Sequence, residues 1–562
     1  MRFNLGKRMS RGLIDKTLNS CTRWAEHRIM MPEPFPGAIN FDHFPWQREI
    51  LNIDEGFVTV KKAAQIGFSV AGMVRCLYVI SELRRDCLYV LPTAGLAGNF
   101  SKARLDTLVN GSPELHELFA NDSVTLKKTR NNVNMHIVGS ISERNLVSNP
   151  VSSAIIDEYD RCAKNTYNLV KQRLAGQNVK YLFALSTPTL PEIGIDEQYR
   201  LGTKEKFMFN CPSCGKFDHL DWFEEDGKTL RNIVIHGEHM NDPECHDSYY
   251  ICSHCKTKLP HELKKDWLRG SKWEPTARVQ GHRSFHINQM YAPNTTPGEL
   301  VQEHHRSQLS DLAAIEFKNQ KLGLAHVCAG AQLTDEVIKN CKQSYQVGAD
   351  TPQDATEIIT MGVDIGNFLD VVVNQYKYDR DPGPYPYECS KAKLLQTRRI
   401  PLSDETCWRQ LDEMMATWQI RYAVLDFQPE TFNAKAFCKR WDGFASVCQY
   451  RRGTSGKEIK ETLDDDTLVK TLTVSRTVFM DLAMRRYHKN KIEIPGNISS
   501  VFVAHMMSPV RTYEEDELGL PRPVYVSRGD DHFAHASLYA EVAHFMAYKQ
   551  STGRSIKPGE AI

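Results

Sequence analysis

Short apolar runs separated by polar or amphipathic intervals recur from about residue 41 to 205: FVTVKKA (57–63), CLYVLP (87–92), NMHIVG (134–139), SSAIID (152–157) and YLFALSTP (181–188). Runs of this length suit buried strands, and the intervals leave room for helices. The alternation predicts a mostly parallel α/β sheet. From 206 to 290 the periodicity fades into cysteines, histidines, aspartates and tryptophans, as expected of an inserted module held by something other than a large core. The stretch 296–325 is helical in pattern. VGADTPQDATE (347–357) is polar and proline-containing, and marks a domain boundary. Beyond it the alternation resumes, with IITMGVDIG (358–366), VVVNQYKY (371–378), KAKLLQTRRI (391–400) and RYAVLDF (421–427) as strands and DETCWRQLDEMMATW (404–418) as a helix. Ahead of the first sheet, MPEPFPG (31–37) sets off a basic and apolar arm. The expected order is an arm (1–40), a first α/β domain (41–205), the cysteine module (206–290), a helical connector (291–350), a second α/β domain (351–546) and a disordered tail (547–562).

Length and charge narrow the function classes. At 562 residues the chain holds three or four domains of the usual size, roughly 150 residues each. Lys+Arg 70 against Asp+Glu 69 creates no overall field toward nucleic acid or an acidic membrane, so any such contact needs local patches. No run approaches the roughly 20 apolar residues of a membrane span, and MRFNLGKRMSRGL lacks the apolar core of a secretory signal, so a soluble, intracellular protein is expected.

KKAAQIGFS (61–69) follows the first strand. A standard phosphate loop, G-x-x-x-x-G-K-[ST], cradles phosphate on backbone N–H groups, neutralises it with lysine and holds magnesium through a hydroxyl. Here the lysines, Lys61 and Lys62, stand at the front of the loop, and Gly67, Phe68 and Ser69 lead into the helix. An ordinary strand–turn–helix with surface lysines has the same spelling. Three other segments favour the nucleotide reading. SSAIIDEYD ends a strand in Asp157 and Glu158, one carboxylate for a metal's water shell and one to activate the attacking water. ALSTPT (184–189) ends another strand in small hydroxyl residues suited to sensing phosphate, and FPWQREIL (44–51) offers an aromatic and Gln47 to hold adenine.

CPSCG (Cys211, Cys214) and CSHC (Cys252, Cys255) are two C-x-x-C knuckles, the spacing that turns paired thiolates toward one tetrahedral zinc. The long loop between them leaves Cys245 or His246 open as a replacement ligand. After the boundary, Asp364 ends one strand, Asp426 ends another, and Asp530 and Asp531 open a helix in RGDDHFAHASLYAEVAHF. Each has a bland reading as a turn or helix cap. Together they suit two divalent metals, which activate water and stabilise the leaving oxygen in phosphodiester cleavage. The helix-borne ligand is taken as Asp531, with Asp530, His532 and His535 as contenders.

KKAAQIGFS, YVLPTAG, LKKTRNN, AIIDEYD, LSTPT, the cysteine pairs, FHINQMYAP, FKNQKLG and TVSRTVFMDLAMRRYHKNKIEIP resemble the lambda-type family of phage large terminase subunits, over most of the chain. The resemblance implies an N-terminal P-loop ATPase domain of the ASCE type with an inserted zinc-ribbon-like module, followed by an RNase H-like nuclease domain. On it, Lys62 is the phosphate lysine with Lys61 as neighbour, Ser69 and Asp157 serve magnesium, and Glu158 is the catalytic base. Arg144 falls where such motors carry an arginine that acts on a neighbouring subunit's ATP. Asp364, Asp426 and Asp531 hold Mg2+ or Mn2+. The implied partners are double-stranded DNA, a small terminase subunit and the portal of a procapsid, with subunits arranged in a ring in the host cytoplasm. Basic segments 126–130, 485–491 and 449–460 are candidate DNA contacts. Two alternatives are an ATP-dependent helicase–nuclease, and a zinc-bearing DNA-binding protein with an inactive ATPase.

Overall fold

A computed structural model describes residues 20–33, 36–120, 123–147, 150–328, 330–348, 357–378, 387, 389–451, 459–464, 466–515 and 521–553. Two compact units divide the chain, Met1–Cys328 and Ala329–Ile562. In the first, α1 (Cys21–Arg28) precedes β1 (Gly56–Lys62), α2 (Phe68–Ser81), β2 (Cys87–Leu91), β3 (Leu126–Lys128), β4 (Asn134–Gly139), β5 (Ser153–Asp157) and β6 (Tyr181–Ser186). They are followed by α3 (Gly194–Leu201), β7 (Glu205–Asn210), β8 (Phe217–His219), β9 (Lys272–Glu274) and β10 (His282–Ile287).

The strands form one sheet in the order β8-β7-β10-β1-β6-β5-β2-β4-β3, with β9 on β7. Its centre, β7 to β4, is parallel. The central strands are rich in Val, Ile, Leu and aromatic residues and are buried along all or most of their length, as strands covered on both faces must be. All five apolar runs of the first domain are strands. Two expectations are corrected. The arm is not separate from about residue 20 onward, because Trp24 and Ala25 of α1 are fully buried in the same core as β1 and α2; residues 1–19 lie outside the described residues. The cysteine region is not a free-standing insert either, because β7, β9 and β10 belong to the main sheet and β10 lies directly against β1.

In the second unit the sheet order is β11 (Lys342–Gln343), β19 (Ile492–Pro495), β14 (Ser390–Pro401), β13 (Phe368–Tyr378), β12 (Ile358–Ile365), β15 (Tyr422–Asp426), β16 (Ala445–Tyr450), β18 (Lys470–Val474) and β17 (Lys460–Leu463). Strands β12, β13 and β14 form an antiparallel meander, while β15, β16 and β18 run parallel to β12. Helix α4 (Arg476–His488) and α5 (His532–Thr552) complete this core. Residues 533–548 of α5 are buried except for His535, the pattern of a helix enclosed on every side. Gly362 makes the closest approach possible: a Cβ there would lie 2.0 Å from the Ala536 carbonyl oxygen of α5.

The expected connector 291–350 divides between the units, with residues up to Cys328 in the first and β11 hydrogen-bonded into the second. Within 296–325 the helix is interrupted, Pro297–Ser307 ending before Ser310 caps Asp311–Ile315. Most of the expected boundary 347–357 lies outside the described residues. The expected tail is corrected at 547–552, which continue α5 to a left-handed Gly553 cap; residues 554–562 lie outside the described residues.

Candidate active sites and cysteine cluster

β1 ends at Lys62, and the loop 63–67 turns into α2 through Gly67, whose φ of +83° is the left-handed conformation that glycine tolerates. Side chains alternate along a strand, so the two lysines part company. Lys61 Nζ meets Asp196 Oδ1 of α3 at 2.9 Å and lies 4.2 Å from the Tyr199 ring centroid. This removes Lys61 from the predicted phosphate-binding set: its charge is committed to Asp196. Lys62 instead feels the carboxylates of Asp157 and Glu158; burial, the largest influence, pulls its pKa below the usual lysine value.

Asp157 ends β5 and is buried. It accepts a hydrogen bond from Tyr89 Oη at 3.0 Å, and the Ser69 hydroxyl lies near enough to lower its pKa. Burial raises its pKa, opposed by Lys62 and by these two hydroxyls. Glu158 follows with φ +52°, a left-handed conformation uncommon for a residue with a side chain. Its carboxylate faces Arg161 at 3.7 Å. The structure therefore brings together Lys62, Ser69, Asp157 and Glu158 at the carboxyl edge of the sheet. Gln47 is buried and donates to the Ile66 carbonyl at 3.3 Å, closing over the loop. Phe68 is a core side chain that lends the site only its backbone. Arg144 is exposed on the short helix Glu143–Val147.

The four predicted cysteines converge. Cys211, Cys214, Cys252 and Cys255 have Sγ atoms within 4.8 Å of one another, including Cys211–Cys255 at 3.8 Å and Cys214–Cys252 at 4.0 Å. A tetrahedral ion with sulfur bonds of about 2.3 Å has edges of about 3.8 Å, so the spacing fits. Cys245 stands apart, its thiol directed to the His239 carbonyl at 3.4 Å, and neither it nor His246 joins the group.

In the second unit Asp364 is the penultimate residue of β12 and Asp426 the last of β15, each one step beyond the registered pair Val363 and Leu425. Burial, followed by the charge of Asp364, pushes the Asp426 carboxyl up to about 6. Asp370, opposite Asp364 on β13, was missed from the sequence; it too is pushed up to about 6, chiefly by burial, and Arg399 lies 3.5 Å away. An aspartate embedded in the apolar run LDVVV was the available signal. Among the helix-borne candidates, His532 Nδ1 lies 2.8 Å from Asp364 Oδ2. Asp531 is engaged elsewhere, by Ser527, by His535 at 3.3 Å and by Arg476 at 3.6 Å, and its pKa falls below the usual carboxylate range. Asp530 is largely exposed and lies 4.0 Å from His505. Among the described residues, only the cysteines gather three or more candidate ligand atoms within 4.8 Å. The predicted set Asp364, Asp426 and Asp531 shares an edge without that closeness.

Two of the expected DNA-contacting segments carry interior cations. Lys127 is buried against Asp106 at 2.7 Å, and Arg486 is buried in a pair with Glu541. Most of 449–460 lies outside the described residues.

Sheet order and edge chemistry define a two-unit α/β protein, with a lysine and acid pair at a strand–loop–helix in one unit and a carboxylate edge in the other. Family comparison resolves this further. Residues 34–273 match the phage terminase large subunit gpA ATPase domain, and residues 282–478 match the gpA endonuclease domain. The chain belongs to this family of phage terminase large subunits. It is 24% identical over 396 residues to the terminase large subunit of Escherichia phage lambda, an alignment spanning 63% of this chain and 60% of that protein. Among solved structures, the HK97 bacteriophage large terminase matches with TM-score 0.46 and 10% identity, over 94% of this chain and 98% of that one. The large terminase nuclease of thermophilic phage G20c with bound magnesium matches with TM-score 0.23 and 10% identity, over 38% of this chain and 95% of that one. Neither the helicase–nuclease nor the inactive-ATPase alternative finds support in these matches. No helix among the described residues is long and apolar enough to cross a membrane.

Proposed function

We propose that this chain is the motor and cutting subunit of a viral DNA-packaging machine, using ATP hydrolysis to drive double-stranded DNA into a procapsid and cleaving concatemers with a metal-dependent endonuclease. The observation that carries this reading is the convergence of Lys62, Ser69 and Asp157 beside a backbone turn that opens a helix. The strand β6 inserted between the lysine strand and the acid strand supports assignment to the ASCE class. The backbone N–H groups of the loop and the N-terminus of α2 suit the phosphates, Lys62 their charge, and Ser69 with Asp157 the magnesium that accompanies ATP. Glu158 is the base that orients and deprotonates the attacking water. Arg144 is exposed as a residue acting on a neighbouring subunit's ATP must be.

The meander β12–β13–β14 flanked by parallel β15 and β16 supports an RNase H-like nuclease domain at 351–546. The raised pKa values of Asp370 and Asp426 indicate buried negative charge short of compensation, and hard oxygen donors of this kind fit Mg2+ or Mn2+. Asp364 and Asp426 would hold the metal, with Asp370 beside them and Asp531 reaching it after release from His535. When bound, the metal supplies activation of water and charge stabilisation at the leaving oxygen. The four-cysteine cluster fits a structural Zn2+, which leaves no open position for catalysis. A small terminase subunit, the portal and a ring of like subunits in the host cytoplasm complete the proposed setting.

DNA-stimulated ATP hydrolysis by the full chain tests the motor. Lys62→Ala and Glu158→Ala should each lower turnover by about 10²-fold or more. Wild-type turnover no greater than that of the variants would overturn the reading.

A further inference from the structure

Asp160 lies two residues beyond Glu158, and none of the roles above uses it. Its carboxylate accepts three hydrogen bonds from a distant segment. Oδ2 takes the Thr189 N–H at 2.8 Å and the Thr189 hydroxyl at 2.9 Å, and Oδ1 takes the Ile195 N–H at 2.6 Å. Its own N–H donates to Ser186 Oγ at 3.1 Å, at the end of β6. Ile195 is in the first turn of α3, whose N-cap residue Ile193 provides no side-chain acceptor. The carboxylate thus does for α3 what a local Ser or Asp normally does, satisfying an orphan N–H and placing negative charge at the helix's positive end.

Helix α3 also carries Asp196, the partner of Lys61, which neighbours Lys62 on β1. One carboxylate therefore joins the turn holding Glu158, the segment after β6 and the helix braced against the lysine strand. Room at the junction is minimal: a Cβ on Gly194 would lie 2.5 Å from Asp160 Oδ1. The same turn holds Glu158 in its left-handed conformation, a cost that persists only where surrounding bonds enforce it.

We propose that Asp160 is a positioning residue: it fixes the backbone that aims Glu158 and makes that turn one mechanical piece with residues 186–195, so that events at the ATP are passed to this segment. This rests on the ATPase reading above and names the part that would couple it to movement. Asp160→Asn keeps the size but replaces one acceptor by a donor, which then faces an N–H donor. Gly194→Ala displaces the carboxylate without altering it.

Steady-state ATP hydrolysis by the full chain with DNA, alongside titration of a fluorescent ATP analogue, tests the proposal. Each variant should lower kcat by about 10- to 100-fold, the effect of an ångström-scale misplacement, with analogue affinity within about twofold of wild type and the double variant close to the worse single one. A kcat within about twofold of wild type in both variants, while Glu158→Gln loses turnover, would overturn the proposal and leave the ATPase reading standing. So would a rise in KM with kcat unchanged, the mark of a merely structural contact. Unchanged turnover in Lys62→Ala and Glu158→Gln would instead remove the ATPase reading, and this proposal with it.

Discussion

Both units present acids at the carboxyl ends of parallel strands, but they balance that charge differently. In the first, the protein supplies the counter-charge: Lys62 stands beside Asp157 and Glu158, and Asp157 also accepts from the Tyr89 hydroxyl with Ser69 nearby. In the second, the acids of the edge are held apart by separate partners. His532 takes Asp364, Arg399 lies by Asp370, and Asp531 is turned toward Ser527, His535 and Arg476. Asp426 and Asp370 are left with raised pKa values because burial and neighbouring negative charge outweigh what these groups supply. The first site supplies its own cation, although burial still leaves Asp157 with a raised pKa. On the metal assignment proposed above, the second borrows its positive charge from a bound cation.

The sharpest break of this comparison is functional. Asp364→Ala removes the acid at the centre of the second edge. Cleavage of plasmid DNA in Mg2+ or Mn2+ should fall by about 10³-fold, the scale of losing a group central to charge stabilisation, while DNA-stimulated ATP turnover stays within about twofold of wild type. Cleavage that persisted would show that Asp364 is not part of the metal site.

The second test asks whether the first unit is as self-sufficient as its ATP site. It should not be: on the zinc assignment proposed above, the four cysteines depend on a metal that the chain does not provide. Cys252→Ser, or removal of the metal by a strong chelator, should lower the stability of the first unit by more than about 3 kcal/mol, since binding energy at such a site is folding energy. Elemental analysis of the purified chain should give one zinc per chain. Calorimetry unmoved by chelation would reduce the cluster to four neighbouring thiols.

Legibility in the sequence followed the same division between local and borrowed order. The apolar strands of both sheets could be read because Val-, Ile- and Leu-rich runs need no outside partner to be recognised. β10 could not be read as a sheet strand. HRSFHI looks polar, and its burial depends on His282 meeting Thr59, Ser284 meeting the Tyr199 carbonyl and His286 meeting the Leu322 carbonyl, all remote in sequence. The four-cysteine cluster was legible from spacing, which left Cys245 or His246 open as a replacement. The lysine pair was legible only in part, because strand alternation shows that two adjacent lysines must diverge, whereas only the structure shows Asp196 waiting for one of them. Asp370 and Asp160 escaped because an acid's role lies in what faces it. The opposing Asp364 and the capped helix α3 are features of tertiary structure.

The smallest effects carry the comparison in sign. Asp196 is buried, accepts from Lys61 at 2.9 Å, Arg200 Nε at 2.8 Å and the Glu192 N–H at 2.9 Å, and its pKa is lowered despite burial. Removing it in Asp196→Ala leaves Lys61 buried without its partner, so the first unit should lose about 3 kcal/mol. Asp426 sits in the opposite balance, with burial and Asp364 both disfavouring its charge. With divalent metal chelated at pH 8, Asp426→Asn should gain about 1 kcal/mol, seen as a rise of about 2 to 4 °C in the second unit's transition. The same variant should lose nuclease activity, and added Mg2+ should stabilise it less than wild type, because a metal stabilises the folded state only as far as it still binds there. If Asp426→Asn were destabilising under chelation, the carboxylate edge would be neutralised by its own protein neighbours, and the distinction between the two sites would collapse.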